Sequence, residues 1–253
     1  MIEGVFYNSG SGFADYAFSD SGLLVYMAET RAVTAGGTLE WLDRKGVAQT
    51  LPAPPHPYTG VRLSPDGQRL AMAIGTGARS DVWIYELARG ASTRLTSVGI
   101  NEDPVWTPDG RHVAFAHAPD NVGIYWVPAD GSGKPELLLP SQVQVSPDSW
   151  TPDGKTLVYH PEGLAHIWIL PVTGNDSKAQ PFSETSFHES NAQVSPDGRW
   201  VAYTSDESGK SQVYARPFPG PGGKSSISIE GARSLGGRAT GGSCFIETQE
   251  RTS

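Results

Sequence analysis

Four aspartates stand in nearly the same surroundings: Asp66, Asp109, Asp153 and Asp197 each lie between a proline and a glycine, after a serine or threonine. Repeated carboxylates of this kind could ligate a metal or share acid–base work if they converged on one point. Their context argues for other employment. Proline presets φ, Asp bonds local backbone, and Gly supplies a left-handed residue without steric cost, so Ser/Thr-Pro-Asp-Gly reads as a hairpin turn. Asp66 with Gly67, Asp109 with Gly110, Asp153 with Gly154 and Asp197 with Gly198 are therefore expected as structural turn pairs. The remaining reactive residues are scattered. His112 and His117, or His160 and His166, lack the Cys or carboxylate spacing of a zinc site. The stretch Phe218 to Ser225 puts Phe218 where a phosphate loop requires its first glycine, and it reads as a β-turn. Asn175-Asp176-Ser177 fits a glycosylation sequon, which has meaning only in a secreted eukaryotic protein. A serine hydrolase would need a G-x-S-x-G elbow, and the sequence has none. No catalytic residue, no cofactor and no metal ligand is predicted.

The elements that position these residues follow from the spacing of the turns. Gly67, Gly110, Gly154 and Gly198 lie 43, 44 and 44 residues apart, and a degenerate fifth copy ends at Gly22. Four positions before each glycine stands an apolar residue: Phe18, Leu63, Trp106, Trp150 and Val194. After the turns come Leu70 to Met72, Val113 to Phe115, Leu157 to Tyr159 and Val201 to Tyr203. A strand half exposed to water would alternate apolar with polar residues; strands apolar on both faces must lie between two neighbouring sheets. Each repeat continues with an aromatic strand ending at Gly46, Gly90, Gly131, Gly174 or Gly220, and a shorter polar-apolar segment closes it. Four short strands per repeat are the signature of propeller blades. The predicted fold is all-β, a β-propeller of four-stranded antiparallel blades. Five blades are recognisable, at about 13–53, 58–98, 101–140, 145–183 and 189–230, and together they make a propeller over 1–230.

The pattern in VWTPDGRHVAF, approached again in QVSPDGRWVAY, resembles the WD-like Pro-Asp repeats of the TolB β-propeller family. Within that family, SPDGRWVAYTSDESG and RPFPGPGGK are most similar to propellers attached to bacterial eukaryotic-type Ser/Thr protein kinases. The resemblance implies a non-catalytic module that binds a protein or ligand, serving as sensor or scaffold, in a periplasmic or other extracytoplasmic location. It also implies a ring of six or more blades, so five would be incomplete. Prolyl-oligopeptidase-type hydrolases carry similar propellers beside a catalytic domain, which makes the gating portion of such an enzyme the alternative.

The end of the sequence departs from the repeat. Residues 231–253 show neither the Pro-Asp-Gly turn nor a long apolar strand, although the next turn glycine is due near residue 242. A shifted reading frame across Ala232 to Thr248 can spell Trp, Asp-Gly and Leu-Phe-Tyr in blade register, so this tail is read as a frameshifted sixth blade. Its Cys244, the single cysteine, can form no internal disulfide.

Composition narrows the partners. With 19 basic against 27 acidic residues and a net charge of −8, the chain does not suit a nucleic-acid backbone. No apolar run approaches the roughly 18 residues of a membrane span, and the first residues lack a signal-peptide pattern. By resemblance, ligands or peptides are expected at the channel rim, where the innermost strands begin. The corresponding residues are Asp15, Tyr16, Tyr58, Arg62, Glu102, Asp103, Glu189 and Asn191. Their carboxylates would suit a basic peptide or a cation.

Overall fold

The computed structural model describes residues 37–42 and 47–227, apart from 77, 164–165, 174–177 and 221, together with strand backbone at 7–8, 13–14, 16–18, 24–27, 232–237 and 244–248. All regular secondary structure among these residues is β. A short pair, β1 (Tyr7–Asn8) and β2 (Phe13–Ala14), precedes the first four-stranded sheet of β3 (Tyr16–Phe18), β4 (Leu24–Met27), β5 (Leu39–Leu42) and β6 (Ala48–Thr50). The second set is β7 (Tyr58–Leu63), β8 (Arg69–Thr76), β9 (Arg79–Glu86) and β10 (Ala91–Arg94). The third is β11 (Ile100–Trp106), β12 (His112–Ala118), β13 (Gly123–Pro128) and β14 (Glu136–Pro140). A single parallel bridge between Ser80 and Ile100 links these two sets. The fourth sheet runs β15 (Val145–Trp150), β16 (Thr156–Pro161), β17 (Trp168–Pro171) and β18 (Gln180–Pro181). The fifth runs β19 (Glu189–Val194), β20 (Trp200–Ser205), β21 (Gln212–Pro217) and β22 (Ser225–Ser226). Within the segment read as an aberrant tail, β23 (Ala232–Gly237) pairs antiparallel with β24 (Cys244–Thr248).

The chain falls into two compact units, Met1–Pro147 and Asp148–Ser253. In the first unit, the period of two along β8 sends alternate side chains to opposite faces. Leu70 and Met72 join Leu39, Leu51, Tyr58, Val61 and Tyr85 in one core cluster, whereas Ala71 joins Val82, Ile84, Val113, Phe115 and Val127 in another. That is why the strand after each turn is apolar throughout: β8 has a sheet on either side. Small Ala71 and bulky Phe115 share the second cluster, so volume on one sheet is matched by space on its neighbour. In the second unit, Val158 and Ile169 pack with Ala192, Val201, Tyr203 and Tyr214, which joins the fourth sheet to the fifth.

Polar ties cross the same seams. The Trp106 indole Nε1 donates to the Arg62 carbonyl at 3.1 Å, and Arg69 Nη2 donates to the Gly110 carbonyl at 2.9 Å. The Arg69 guanidinium also lies 4.8 Å from the Trp106 ring centre, a cation–π distance. In the second unit Ser149 Oγ donates to the Ala192 carbonyl at 2.8 Å, and Gln193 Nε2 donates to the Asp148 carbonyl at 3.2 Å.

Candidate functional site

The four turn aspartates are each engaged within their own turn. Ser64 Oγ donates to Asp66 Oδ1 at 2.5 Å, Gln68 N–H donates to the same oxygen at 3.0 Å, and Arg69 N–H donates to Ser64 Oγ at 2.9 Å. The same three bonds recur around Asp109, Asp153 and Asp197, with hydroxyl-to-carboxylate distances of 2.7, 2.6 and 2.6 Å. Gly67, Gly110, Gly154 and Gly198 hold φ between 66 and 70°. Hydrogen bonds to the charged form lower a carboxyl pKa. The Ser195 hydroxyl, with Arg199, brings Asp197 down to about 2. Asp109 and Asp153 are lowered chiefly by Thr107 and Thr151. At Asp66 burial opposes the shift, yet Ser64, Gln68 and Arg69 together outweigh it. Each carboxylate thus accepts from a hydroxyl and a backbone N–H of its own turn through Oδ1, a structural use of the group.

The starts of the innermost strands share a feature that residue type alone did not announce. Register shifts interrupt β7 between Thr59 and Arg62, β11 between Glu102 and Val105, and β19 between Ser190 and Gln193. Gly60, Asp103 and Asn191 sit at these bulges with φ of 61, 51 and 57°. Gly, Asp and Asn are the types that tolerate the left-handed region. In the fourth sheet the same repeat column holds Pro147, whose ring locks φ negative.

The bulges sort the predicted rim residues. Tyr58 and Glu189, the first residues of their strands, are 3% and 0% exposed. They point into the seams between sheets and not to solvent, because the first strand position faces the core; Asn101 and Val145 in the same column are buried too. The Tyr58 hydroxyl donates to the Pro54 carbonyl, and burial, with Tyr85 nearby, pushes its pKa up to about 12. Arg62 donates from Nη1 to the Val61 carbonyl at 3.1 Å. Glu102 and Asp103 are partly exposed, and Ser146 Oγ donates to Asp103 Oδ2 at 2.7 Å. Asn191 is 8% exposed and donates from Nδ2 toward Ser190 and Thr204 hydroxyls at 3.3 and 3.2 Å. The structure thus groups Glu102, Asp103 and Ser146 in the first unit, and Glu189 with Asn191 in the second. Asp15 lies outside the described residues, and Tyr16 is described only as backbone of β3.

Other polar contacts were not foreseen from the sequence. Asn101 exchanges bonds with Ser80, and its Oδ1 accepts from His117 Nδ1 at 2.8 Å. Asp148 and His160 form a buried pair at 2.9 Å. Around Glu189, Ser183 Oγ donates to Oε2 while Oε1 is buried without a hydrogen-bond partner. Burial raises the Glu189 pKa against the pull of Ser183, Thr185, Arg216 and His166. Beside it, a concavity of about 540 Å³ is lined by Phe182, Glu184, Thr185, Tyr203, Arg216 and Lys224. Among the described residues, no three His, Cys, Asp or Glu side chains converge as a metal cluster.

Four-stranded sheets repeating every 43 or 44 residues, joined through apolar seams, define a β-propeller class of protein. The family model described as TolB beta propeller domain matches residues 56–190, and the chain belongs to that family. It is 34% identical over 99 residues to a TolB homolog of Chlorobium chlorochromatii, covering 38% of this chain and 22% of that protein. It is 24% identical over 193 residues to an uncharacterized peptidase of Bacillus subtilis, covering 58% of this chain and 29% of that protein. The chain therefore spans under a third of the length of these curated relatives. Among solved structures, a putative TolB from Agrobacterium tumefaciens superposes with TM-score 0.72 at 18% identity, over 85% of this chain and 79% of that one. The tricorn protease superposes with TM-score 0.66 at 16% identity, over 88% of this chain and 23% of that one.

Proposed function

We propose that the chain is a non-catalytic binding module, a propeller that presents acidic strand starts to a basic peptide of a partner protein. The observation that supports this most is the Glu102–Asp103 pair at the bulge of β11. The bulge holds Asp103 in a left-handed conformation, so the two carboxylates stand on a rigid strand and not on a loose loop. A fixed pair of carboxylates attracts cationic side chains and costs little ordering on binding. Membership of the TolB propeller family agrees with an interaction role, and an extracytoplasmic location belongs to the same reading. Attachment to a kinase rests on the sequence resemblance alone. Further blades from outside the five sheets would complete the ring.

The alternative is the propeller portion of a hydrolase, favoured by the likeness to a Bacillus subtilis peptidase. Calorimetric titration with a lysine-rich decapeptide tests the first reading. Binding that weakens at least tenfold in Asp103→Asn, and that falls with added salt, supports it. Binding that is equal in wild type and variant contradicts it.

A further inference from the structure

The antiparallel register between the second and third strands of each sheet defines a column. Leu70 pairs with Tyr85, Val113 with Val127, Leu157 with Leu170 and Val201 with Arg216. Tyr85, Val127 and Leu170 are 0%, 0% and 3% exposed, and Tyr85 and Val127 belong to apolar clusters between sheets. In the fifth sheet the equivalent position is held by a half-buried arginine. Packing does not require this residue type: a leucine fills the place one repeat earlier.

Arg216 is only partly spent on its surroundings. Its Nε is buried without a hydrogen-bond partner, an arrangement that costs free energy unless something else satisfies it. Its guanidinium lies 5.1 Å from the Phe182 ring centre, and the residue lines the 540 Å³ concavity. Glu189 is a buried carboxyl whose pKa burial raises and the Arg216 charge pulls down, so the two groups feel each other across the seam. Lys224 is paired with Glu207. The walls combine Pro181, Phe182 and Tyr203 with the polar Glu184, Thr185 and Lys224.

We propose that this concavity between the fourth and fifth sheets binds a small organic carboxylate with an apolar body, anchored on the Arg216 guanidinium. The fork of Arg matches a carboxylate in two parallel hydrogen bonds. The rings of Phe182 and Tyr203 would take the apolar part, and the volume falls in the range of small-molecule sites. Glu184 lines the pocket and Glu207 neutralises Lys224 beside it, which disfavours a doubly charged phosphate more than a single carboxylate. The carboxylate could belong to a free acid or to the C-terminus of a peptide, and the experiment separates the two. This site uses residues other than Glu102 and Asp103, so its test and that of the basic-peptide reading fail independently.

The probes are N-acetylphenylalanine, its amide, and a pentapeptide ending in phenylalanine with a free or amidated C-terminus, each titrated calorimetrically into the full chain. The acid should bind at least tenfold more tightly than the amide. Tighter binding of the free-ended pentapeptide assigns the site to peptide C-termini, and its exclusion assigns the site to free acids. Arg216→Leu, which restores the residue type of the fourth sheet, should abolish binding while the thermal midpoint holds or rises. If Arg216→Leu does not fold, Arg216→Lys decides: it retains charge without the fork and should bind about tenfold more weakly. Equal binding of acid and amide, no binding of either at millimolar concentration, or wild-type affinity in Arg216→Lys overturns the proposal.

Discussion

At the scale of single residues, the four Pro-Asp-Gly turns divide their work between a carboxylate and a conformation. A Cβ placed on Gly67 would meet nothing within 4 Å, so Gly67→Ala changes only the cost of holding φ at 70°. That cost is about 1 kcal/mol; urea unfolding should show it as a lower midpoint at unchanged slope. The carboxylates set an acid limit. Asp197 titrates at about 2 in the folded chain, below its ordinary 3.8, so the folded state favours the ionised form. Its contribution is complete above pH 3.8 and is lost as pH falls toward 2. The stability of Asp197→Asn should therefore change less than that of the wild type across this interval, measured by urea midpoints at successive pH. These roles were legible in the sequence because turn chemistry is local: Pro, Asp and Gly carry their preferences wherever they stand. Tyr58 and Glu189 were not legible as interior residues. A carboxylate or phenol at a strand start looks like a loop end until the neighbouring sheet is in place.

At the scale of elements, the strand after each turn is held from both sides. Ala71 is fully buried among Val82, Val113 and Phe115, so Ala71→Leu forces extra methylenes into a filled seam. The expected loss is about 2 kcal/mol, read as a lower thermal midpoint with the β-sheet circular dichroism retained below it. Runs without polar alternation had already implied two covering sheets. The bulges had not been foreseen, since a single inserted residue leaves the apolar pattern nearly intact. Aligning the repeats by their turn glycines puts Gly60, Asp103 and Asn191 in one column, and their shared tolerance of positive φ is the signal that could have revealed them. Arg216 was not legible by the same alignment: Tyr85, Val127, Leu170 and Arg216 lie 18, 17, 16 and 18 positions after their turn glycines, so their shared column emerges only from the strand register.

At the scale of the molecule, the chain is a series of similar sheets, and most of what it positions is shared by every repeat. Such architectures are nearly one-dimensional: each repeat contacts its neighbours, and stability accrues seam by seam. What varies between repeats is then where specificity can reside, and we propose that here it is the acidic pair on β11 and the arginine on β21. The family places the fold but hosts unrelated functions, as the TolB and peptidase relatives illustrate, so the site and not the fold must decide. The most direct measurement is fluorescence anisotropy of a labelled lysine-rich peptide with the purified chain, followed by mass spectrometry of the same sample after prolonged incubation. A binding module retains the peptide at equilibrium and returns it at its original mass, with binding reduced in Asp103→Asn. A peptide that is cleaved, or one whose anisotropy never rises, contradicts the account.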